Sequence, residues 1–431
     1  MRRDIEVNVF ERHESEVRSY CRHFPAIFER AKGEYLWDDQ GNPYIDFFAG
    51  AGALNYGHND PVMQEALVDY IRADGVTHSL DMSTTARGRF LERFHALVLE
   101  PRGLDYKVMF TGPTGTNCVE AALKLARKVT GRQLVVSVTG GFHGMTLGSL
   151  SVTANPTKRR GAGVALTNTT FMPYDGFLGG DVDTLDYFEA MLSDPRSGLE
   201  RPAAVLVECV QGEGGLNVAR LQWLKRLAEL CHRFDIRLIV DEVQTGCGRT
   251  GSFFRFEAAG IEPDMVCVSK SISGYGLPLA LTLVKPEYDR FSPGEHNGTF
   301  RGQNPSLTTA VAALETFWSD DSLERGTAER AGLVRERLQA MSDSHPEQGA
   351  GVRGVGLMQG IAFPQDGLAE RICRRAFDHG LILETAGVRS EVVKLFPPLN
   401  IPMASLEAGL DRLDAAVESV LVTSQKQYAN A

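Results

Sequence analysis

Arg237-Leu-Ile-Val240 is a short apolar run that ends in Asp241-Glu-Val-Gln244, and Asp264-Met-Val-Cys-Val-Ser269 is a second that ends in Lys270. Both are too short for helices and rich in Val, Ile and Leu, the pattern of strands covered on both faces. Leu134-Val-Val-Ser-Val-Thr139 and Ala204-Val-Leu-Val-Glu-Cys-Val210 read the same way. Between two of these runs, the segment from Leu221 to Arg233 places Leu224, Leu227, Ala228 and Cys231 on one helical stripe. Strands alternating with helices predict an α/β fold with a mainly parallel sheet and crossover helices. Ligands of such sheets gather at the carboxyl ends of the strands. Asp241 and Lys270 both fall there.

Outside this middle the pattern changes. Residues up to about 75 mix charged, aromatic and turn residues, and Tyr35-Leu-Trp-Asp-Asp-Gln-Gly-Asn-Pro-Tyr44 reads as a hairpin turning at Asp-Gln-Gly-Asn. From about 320 a long polar helix over 323–342 is followed by helices near 367–379 and 404–422. We therefore expect an N-terminal segment, 1–75, that joins a smaller α+β domain built from both chain ends. A large domain over 76–320 and a C-terminal part over 321–431 complete the division.

Composition narrows the function classes. The chain has 431 residues, 43% of them hydrophobic, enough to bury a large core. Its net charge of -10 lacks the basic footprint of a nucleic-acid binder. Met1-Arg-Arg-Asp-Ile-Glu-Val7 has no apolar stretch behind its charged start, and no run of about 18 apolar residues occurs, so a soluble cytoplasmic protein without a membrane partner is expected. Seven cysteines, an odd number with no C-x-x-C pair, point to reduced thiols, with Cys209 and Cys267 as core residues. The cluster Lys158-Arg159-Arg160 reads as solvated loop.

A lysine from one strand end and an aspartate from another are the two groups needed to run pyridoxal phosphate, one at its aldehyde and one at its ring nitrogen. Thr111-Gly-Pro-Thr-Gly-Thr-Asn-Cys-Val-Glu120 offers a loop feeding a helix N-terminus, where free N–H groups favour an anion. Asn117 is expected to cap that helix with Glu120 three residues on, and Val119, Leu123 and Ala126 form its buried face, leaving Gly115 and Thr116 to expose their N–H groups. Phe142 follows a strand end and could stack on a planar ring, although a core phenylalanine would read alike. His143 has no partner at metal-ligand spacing, so a hydrogen-bonding or packing role is expected and no metal is. Glycines crowd Gln211-Gly-Glu-Gly-Gly215 and Gly246-Cys-Gly-Arg-Thr-Gly251, with Glu208 and Glu213 beside the first. Neither G-x-x-x-x-G-K-[ST] nor a strand-to-helix G-x-G-x-x-G is present, which counts against a nucleotide-binding oxidoreductase.

Together these segments resemble the class III aminotransferases, the ornithine/4-aminobutyrate type among fold type I pyridoxal phosphate enzymes, from Gly33 to about Leu399. The resemblance implies a mostly parallel seven-stranded sheet, covered by helices, in the large domain. It implies that Lys270 forms the Schiff base, that Asp241 pairs with the pyridine nitrogen and that Val243 packs on the ring face opposite Phe142. Gln244 would hydrogen-bond the phenolic oxygen, Gly115 and Thr116 would hold the phosphate, and His143 and Glu208 would stand beside the cofactor. Thr299, in His296-Asn-Gly-Thr-Phe300, would reach a neighbouring subunit's phosphate, implying a homodimer or dimer of dimers with shared sites.

Departures from the family bear on substrate. The usual Y-H-G-R-T run is Phe142-His-Gly-Met-Thr146 here, and Met145 cannot hold a carboxylate; Lys394 replaces the usual arginine before Pro397-Pro-Leu399. Family logic has Glu213 release that cation to a substrate α-carboxylate, here with a point charge in place of a fork. The stretches Phe10 to Pro25 and Asp46 to His58 narrow the resemblance further. They point to the branch that moves the amino group of L-glutamate to L-aspartate 4-semialdehyde, giving L-2,4-diaminobutyrate and 2-oxoglutarate, in ectoine (compatible-solute) synthesis. Arg22 and Lys394 are the candidates for substrate carboxylates. Alternatives are a 4-aminobutyrate, ornithine or siderophore-pathway diaminobutyrate aminotransferase, or a decarboxylase or racemase on the same cofactor.

Overall fold

The computed structural model describes residues 8–429; the charged start Met1 to Val7 lies outside them. Three N-terminal strands, β1 (Phe28–Lys32), β2 (Tyr35–Asp38) and β3 (Pro43–Asp46), form an antiparallel meander, and the turn between β2 and β3 is the Asp-Gln-Gly-Asn hairpin expected.

Seven strands make the central sheet: β4 (Lys107–Phe110), β5 (Val135–Val138), β6 (Thr169–Met172), β7 (Ala204–Val207), β10 (Arg237–Asp241), β11 (Met265–Val268) and β12 (Leu281–Val284). A two-residue hairpin, β8 (Val210–Gln211) with β9 (Asn217–Val218), intervenes and carries Glu213 in its turn. The sheet order is β4-β12-β11-β10-β7-β5-β6. All neighbours are parallel except β12, which runs antiparallel to both β11 and β4. The missing crossover explains this: β11 and β12 are joined by a short loop with no long helix, and only antiparallel strands can be joined so briefly.

The apolar runs divide between two cores with period 2. Val136, Val205, Leu238, Val240, Val266 and Val268 join Trp223, Leu224, Leu227 and Cys231 of the helix Leu221–Arg233. Val135, Ala204, Leu206, Ile239, Met265 and Cys267 pack on Cys118, Val119, Leu123 and Ala126 of the helix Gly115–Thr130. The two faces together explain why these strands show no polar alternation. Because Asp241 pairs with Cys267 in the parallel β10–β11 register, Asp241 and Lys270 leave neighbouring strands at the same edge.

Toward the C-terminus, β13 (Gly351–Val355), β14 (Met358–Ala362), β16 (Glu384–Ala386) and β17 (Val392–Leu395) form a sheet in the order β13-β14-β17-β16, while β15 (Leu381–Ile382) pairs in parallel with β3. The two chain ends thus share a sheet. The helix Pro61–Arg72 instead packs on the helix Asn304–Phe317. Helices Ser322–Ser344, Leu368–Asp378 and Met403–Ala429 complete the C-terminal part.

One buried side chain ties these parts together. Arg249, within the glycine-rich 246–251 segment, is fully buried and donates to Asn55 Oδ1 (2.6 Å), Leu357 O (3.0 Å) and Pro397 O (2.6 Å). Burial without a carboxylate partner pulls its pKa down to about 9.

Candidate active site

A cavity of about 480 Å³ opens at the carboxyl ends of β10 and β11. Lys270, Asp241, Val243, Gln244, Phe142, His143, Gly115, Thr116, Glu208 and Glu213 all line it. Residues spread over 156 positions of sequence converge because each ends or follows a strand of one sheet.

Lys270 takes up left-handed backbone, φ 53°, a conformation that costs a non-glycine residue about 1 kcal/mol. Strain of this kind concentrates at functional sites. Its Nζ donates to Ala51 O at 2.9 Å, and burial is the first cause of a lowered pKa, only partly offset by Glu213.

Asp241 is held from two sides. Oδ1 accepts the Val243 N–H at 3.0 Å and Oδ2 lies 2.8 Å from His143 Nδ1. His143 is buried; burial works to lower its pKa, but the bond to Asp241 and that residue's charge leave it raised. The carboxylate partner of His143 lies 98 residues away, on another strand, which sequence spacing could not reveal. His143 Nε2 is buried without a hydrogen-bond partner.

Glu208 is buried and accepts the N–H groups of Phe142 (2.9 Å) and Gly212 (3.3 Å). Burial, aided by Asp241 and opposed by His143, pushes it up to about 7. The folded chain therefore binds this proton more tightly than the unfolded chain, whose carboxyl titrates near 4.5. Stability from this group is fully present in acid and declines by about 3 kcal/mol as pH rises from about 4.5 to about 7. Glu208→Gln should flatten that part of the stability profile, which urea unfolding of parent and variant at pH 5 and pH 7.5 would measure; parallel profiles would disprove it.

The helix Gly115–Thr130 points its N-terminus at the cavity. Its cap is Thr114, not Asn117: Asn117 stands at the third helical position, and its Oδ1 accepts the Thr114 N–H at 3.1 Å. Glu120 turns away to take Thr146 Oγ1 (2.6 Å) and the Ser149 N–H (3.1 Å). A Cβ on Gly115 would come within 2.9 Å of Val243 Cγ1, so only glycine lets this backbone approach so closely. Donor N–H groups at a helix start, a buried carboxylate and a lysine amine in one cavity fit the phosphate, ring nitrogen and aldehyde of pyridoxal phosphate.

Lys394 is fully buried and bound twice, to Glu213 at 2.9 Å and to Glu384 at 2.5 Å. Burial opposes its charge, yet the two carboxylates raise its pKa. They act on Glu213 in return: against burial, Lys394 and Lys270 hold that carboxyl down at about 2. Glu384 moves the other way, raised first by burial. Sequence reading missed Glu384, which the antiparallel register of β16 and β17 pairs directly with Lys394.

Arg22 is not brought to the cavity. Its exposed guanidinium donates to Glu16 Oε2 at 2.6 Å and to Arg18 O at 2.9 Å. From the same short helix it is Tyr20 that lines the cavity, its pKa raised to about 12 by burial and then by Glu384. Thr299 is exposed and outside the cavity of its own chain, as is Met145. Lys158 does line the cavity, contrary to its reading as solvated loop, with Nζ 4.4 Å from the centre of the Phe142 ring. Asn155-Pro156, a helix-start signal, was the clue that this segment is ordered.

The sequence family described as aminotransferase class-III matches residues 17–417. The diaminobutyrate–2-oxoglutarate transaminase of Halalkalibacterium halodurans is 57% identical over 420 residues, covering 97% of this chain and 98% of that protein. The transaminase of the same name from Virgibacillus pantothenticus is 56% identical, over 96% of this chain and 100% of its own length. Among solved structures, the ornithine aminotransferase of Toxoplasma gondii, described with partial occupancy of PLP at its active site, superposes with a TM-score of 0.83. It shares 25% identity over 97% of this chain and 95% of its own. An S-selective transaminase from Arthrobacter sp. has the same fold, with a TM-score of 0.84 at 21% identity, over 96% of this chain and 97% of its own.

Proposed function

Since the chain belongs to the class III aminotransferases, pyridoxal phosphate enzymes that transfer amino groups, we propose that it moves the amino group of L-glutamate to L-aspartate 4-semialdehyde, giving L-2,4-diaminobutyrate and 2-oxoglutarate. The carrying observation is near-full-length identity of 55–57% to relatives bearing that activity in their names. The proposal extends to a cytoplasmic role in the first step of ectoine synthesis, supported at the coarser level by the absence of any helix long and apolar enough to cross a membrane among the described residues. It also includes a homodimer or dimer of dimers in which Thr299 serves a neighbouring site, a role its exposure allows. Division at about 75 and 320 belongs to the same reading, supported by the β3–β15 pairing.

When bound, pyridoxal phosphate supplies an aldehyde that bonds to amines and a ring that accepts electrons released at the reacting carbon. Gly115 and Thr116 would hold its phosphate by backbone N–H groups at the helix start. Phe142 and Val243 would confine the ring, and Asp241, fixed by Val243 and His143, would face its nitrogen as a fixed negative charge. Lys270 Nζ takes a proton from the substrate's reacting carbon and returns it in the reverse sense. Its burial-lowered pKa enlarges the fraction of free amine near neutrality. Glu213 screens Lys394 until a substrate carboxylate arrives.

Purified enzyme given glutamate and the semialdehyde should form 2-oxoglutarate and 2,4-diaminobutyrate in equal amounts. If 4-aminobutyrate or ornithine is used well and the semialdehyde is not, the substrate assignment is wrong while the aminotransferase identity stands.

A further inference from the structure

The charged groups lining the cavity are Lys158, Lys270, Glu208, Glu213, Asp241 and His143. Five already have a task in the resting site. Asp241 and His143 hold each other, Glu208 takes two backbone N–H groups, Glu213 holds Lys394, and Lys270 is anchored to Ala51 O. Lys158 alone is uncommitted: its ammonium lies over the Phe142 ring, and it forms no ion pair among the described residues. Its backbone, however, is fixed. The short helix Pro156–Arg160 is capped by Asn155 Oδ1, which accepts the Lys158 N–H at 3.0 Å. The neighbouring Arg159 guanidinium donates to the carbonyls of Leu150, Ser151 and Thr153.

The two proposed substrates share one spacing. Glutamate reacts at its α-carbon and carries its γ-carboxylate carbon three bonds away. The semialdehyde reacts at its aldehyde carbon and carries its only carboxylate carbon, again, three bonds away. One fixed cation can therefore serve both half-reactions, although the two molecules react at opposite ends of the amino-acid skeleton. The cation cannot be Lys394, which has no exposed surface and keeps Glu384 even if Glu213 swings aside. It cannot be Arg22, which is turned away to Glu16, nor Met145, which has no charge.

Resting on the proposed substrates, we propose that Lys158 binds the carboxylate three bonds from the reacting carbon in both the donor and the acceptor. A lysine suits a carboxylate that arrives with or without a neighbouring ammonium group, since its ammonium is a point charge on a flexible stem and imposes no planar fork. The aromatic face of Phe142 gives that ammonium a resting place between substrates. Glutamate's second carboxylate, on the reacting carbon itself, is left to Lys394 once Glu213 yields. The semialdehyde has no such group, so Glu213 stays where it is. A donor and an acceptor of different charge thus fit one cavity with a single shared contact.

The test uses holoenzyme and its Lys158→Met and Lys158→Arg variants. Glutarate, which has glutamate's two carboxylates and no amine, is titrated at equilibrium; KM and kcat are measured for glutamate and for the semialdehyde, and the visible absorbance of the bound cofactor is recorded. Lys158→Met should weaken glutarate and raise both KM values on the order of 10- to 100-fold, the effect of losing a charged hydrogen bond. The kcat and the cofactor absorbance should stay close to the parent's, and Lys158→Arg should recover most of the affinity. A parent with no measurable glutarate affinity overturns the proposal. So does an unchanged KM for either substrate, or a loss confined to kcat with loss of cofactor absorbance. A parent that binds glutarate through Lys158 but fails to convert glutamate and semialdehyde would instead sink the substrate assignment alone.

Discussion

Lys270→Ala should lose on the order of 10⁴-fold or more in turnover, because one side chain both attaches the cofactor and carries the proton. The geometry makes compensation implausible. Besides Lys158, whose ammonium rests over Phe142, no other lysine lines the cavity, and Lys394 sits behind Glu213 with no exposed surface. Borohydride reduction of the holoenzyme followed by peptide mass mapping should find the cofactor on Lys270 in the parent and on no peptide of the variant. The truncation should not unfold the chain. It removes a hydrogen bond to Ala51 O but relieves a buried charge, and alanine tolerates φ 53° no worse than lysine does. A Lys270→Ala enzyme with near-parental turnover, or covalent cofactor at another lysine, would refute the assignment.

The Lys270 and Asp241 pair was legible because its evidence is local. Each residue directly ends or follows an apolar run, and in a parallel sheet strand ends of the same sense meet at one edge. The central strands were legible for a related reason: both faces are covered, so their sequences are nearly continuous in Val, Ile and Leu. β4 and β6 escaped notice because they lie at the sheet's two edges and are partly exposed, and Lys107-Val-Met-Phe110 and Thr169-Thr-Phe-Met172 carry no pure apolar run. The reversed direction of β12 depends on a loop length, not on a side-chain pattern. What surrounds the pair was hidden because it is tertiary. Glu384 meets Lys394 only through the register of two short strands, and Lys158 reaches the cavity only because Arg159 pins its helix to three carbonyls. Tyr20 and Arg22 show the same limit from the other side. Both lie on one short helix in the segment that narrowed the family resemblance, and only the fold decides which of them faces inward.

Asp241→Asn should cost on the order of 10²- to 10³-fold in turnover, the usual effect of removing one preorganised charge from a water-poor site. It should also change how stability depends on pH. Burial alone would lower the pKa of His143 below its ordinary 6.5; the bond to Asp241 and that residue's charge reverse this and raise it. A group whose folded-state pKa is raised contributes stability that is fully present below its unfolded pKa and is lost as pH rises through the folded value. The parent's advantage over Asp241→Asn should therefore be largest near pH 6 and shrink toward pH 9, as His143 becomes neutral in both proteins. Glu208→Gln acts in a lower window, from about 4.5 to about 7, so the two contributions can be separated by measuring both variants across the range. Urea unfolding at pH 6 and pH 9 is the deciding measurement. A parent-to-variant difference that is the same at both pH values would mean that His143 is neutral in the folded protein at pH 6. Asp241 would then act on the cofactor without help from a charged histidine.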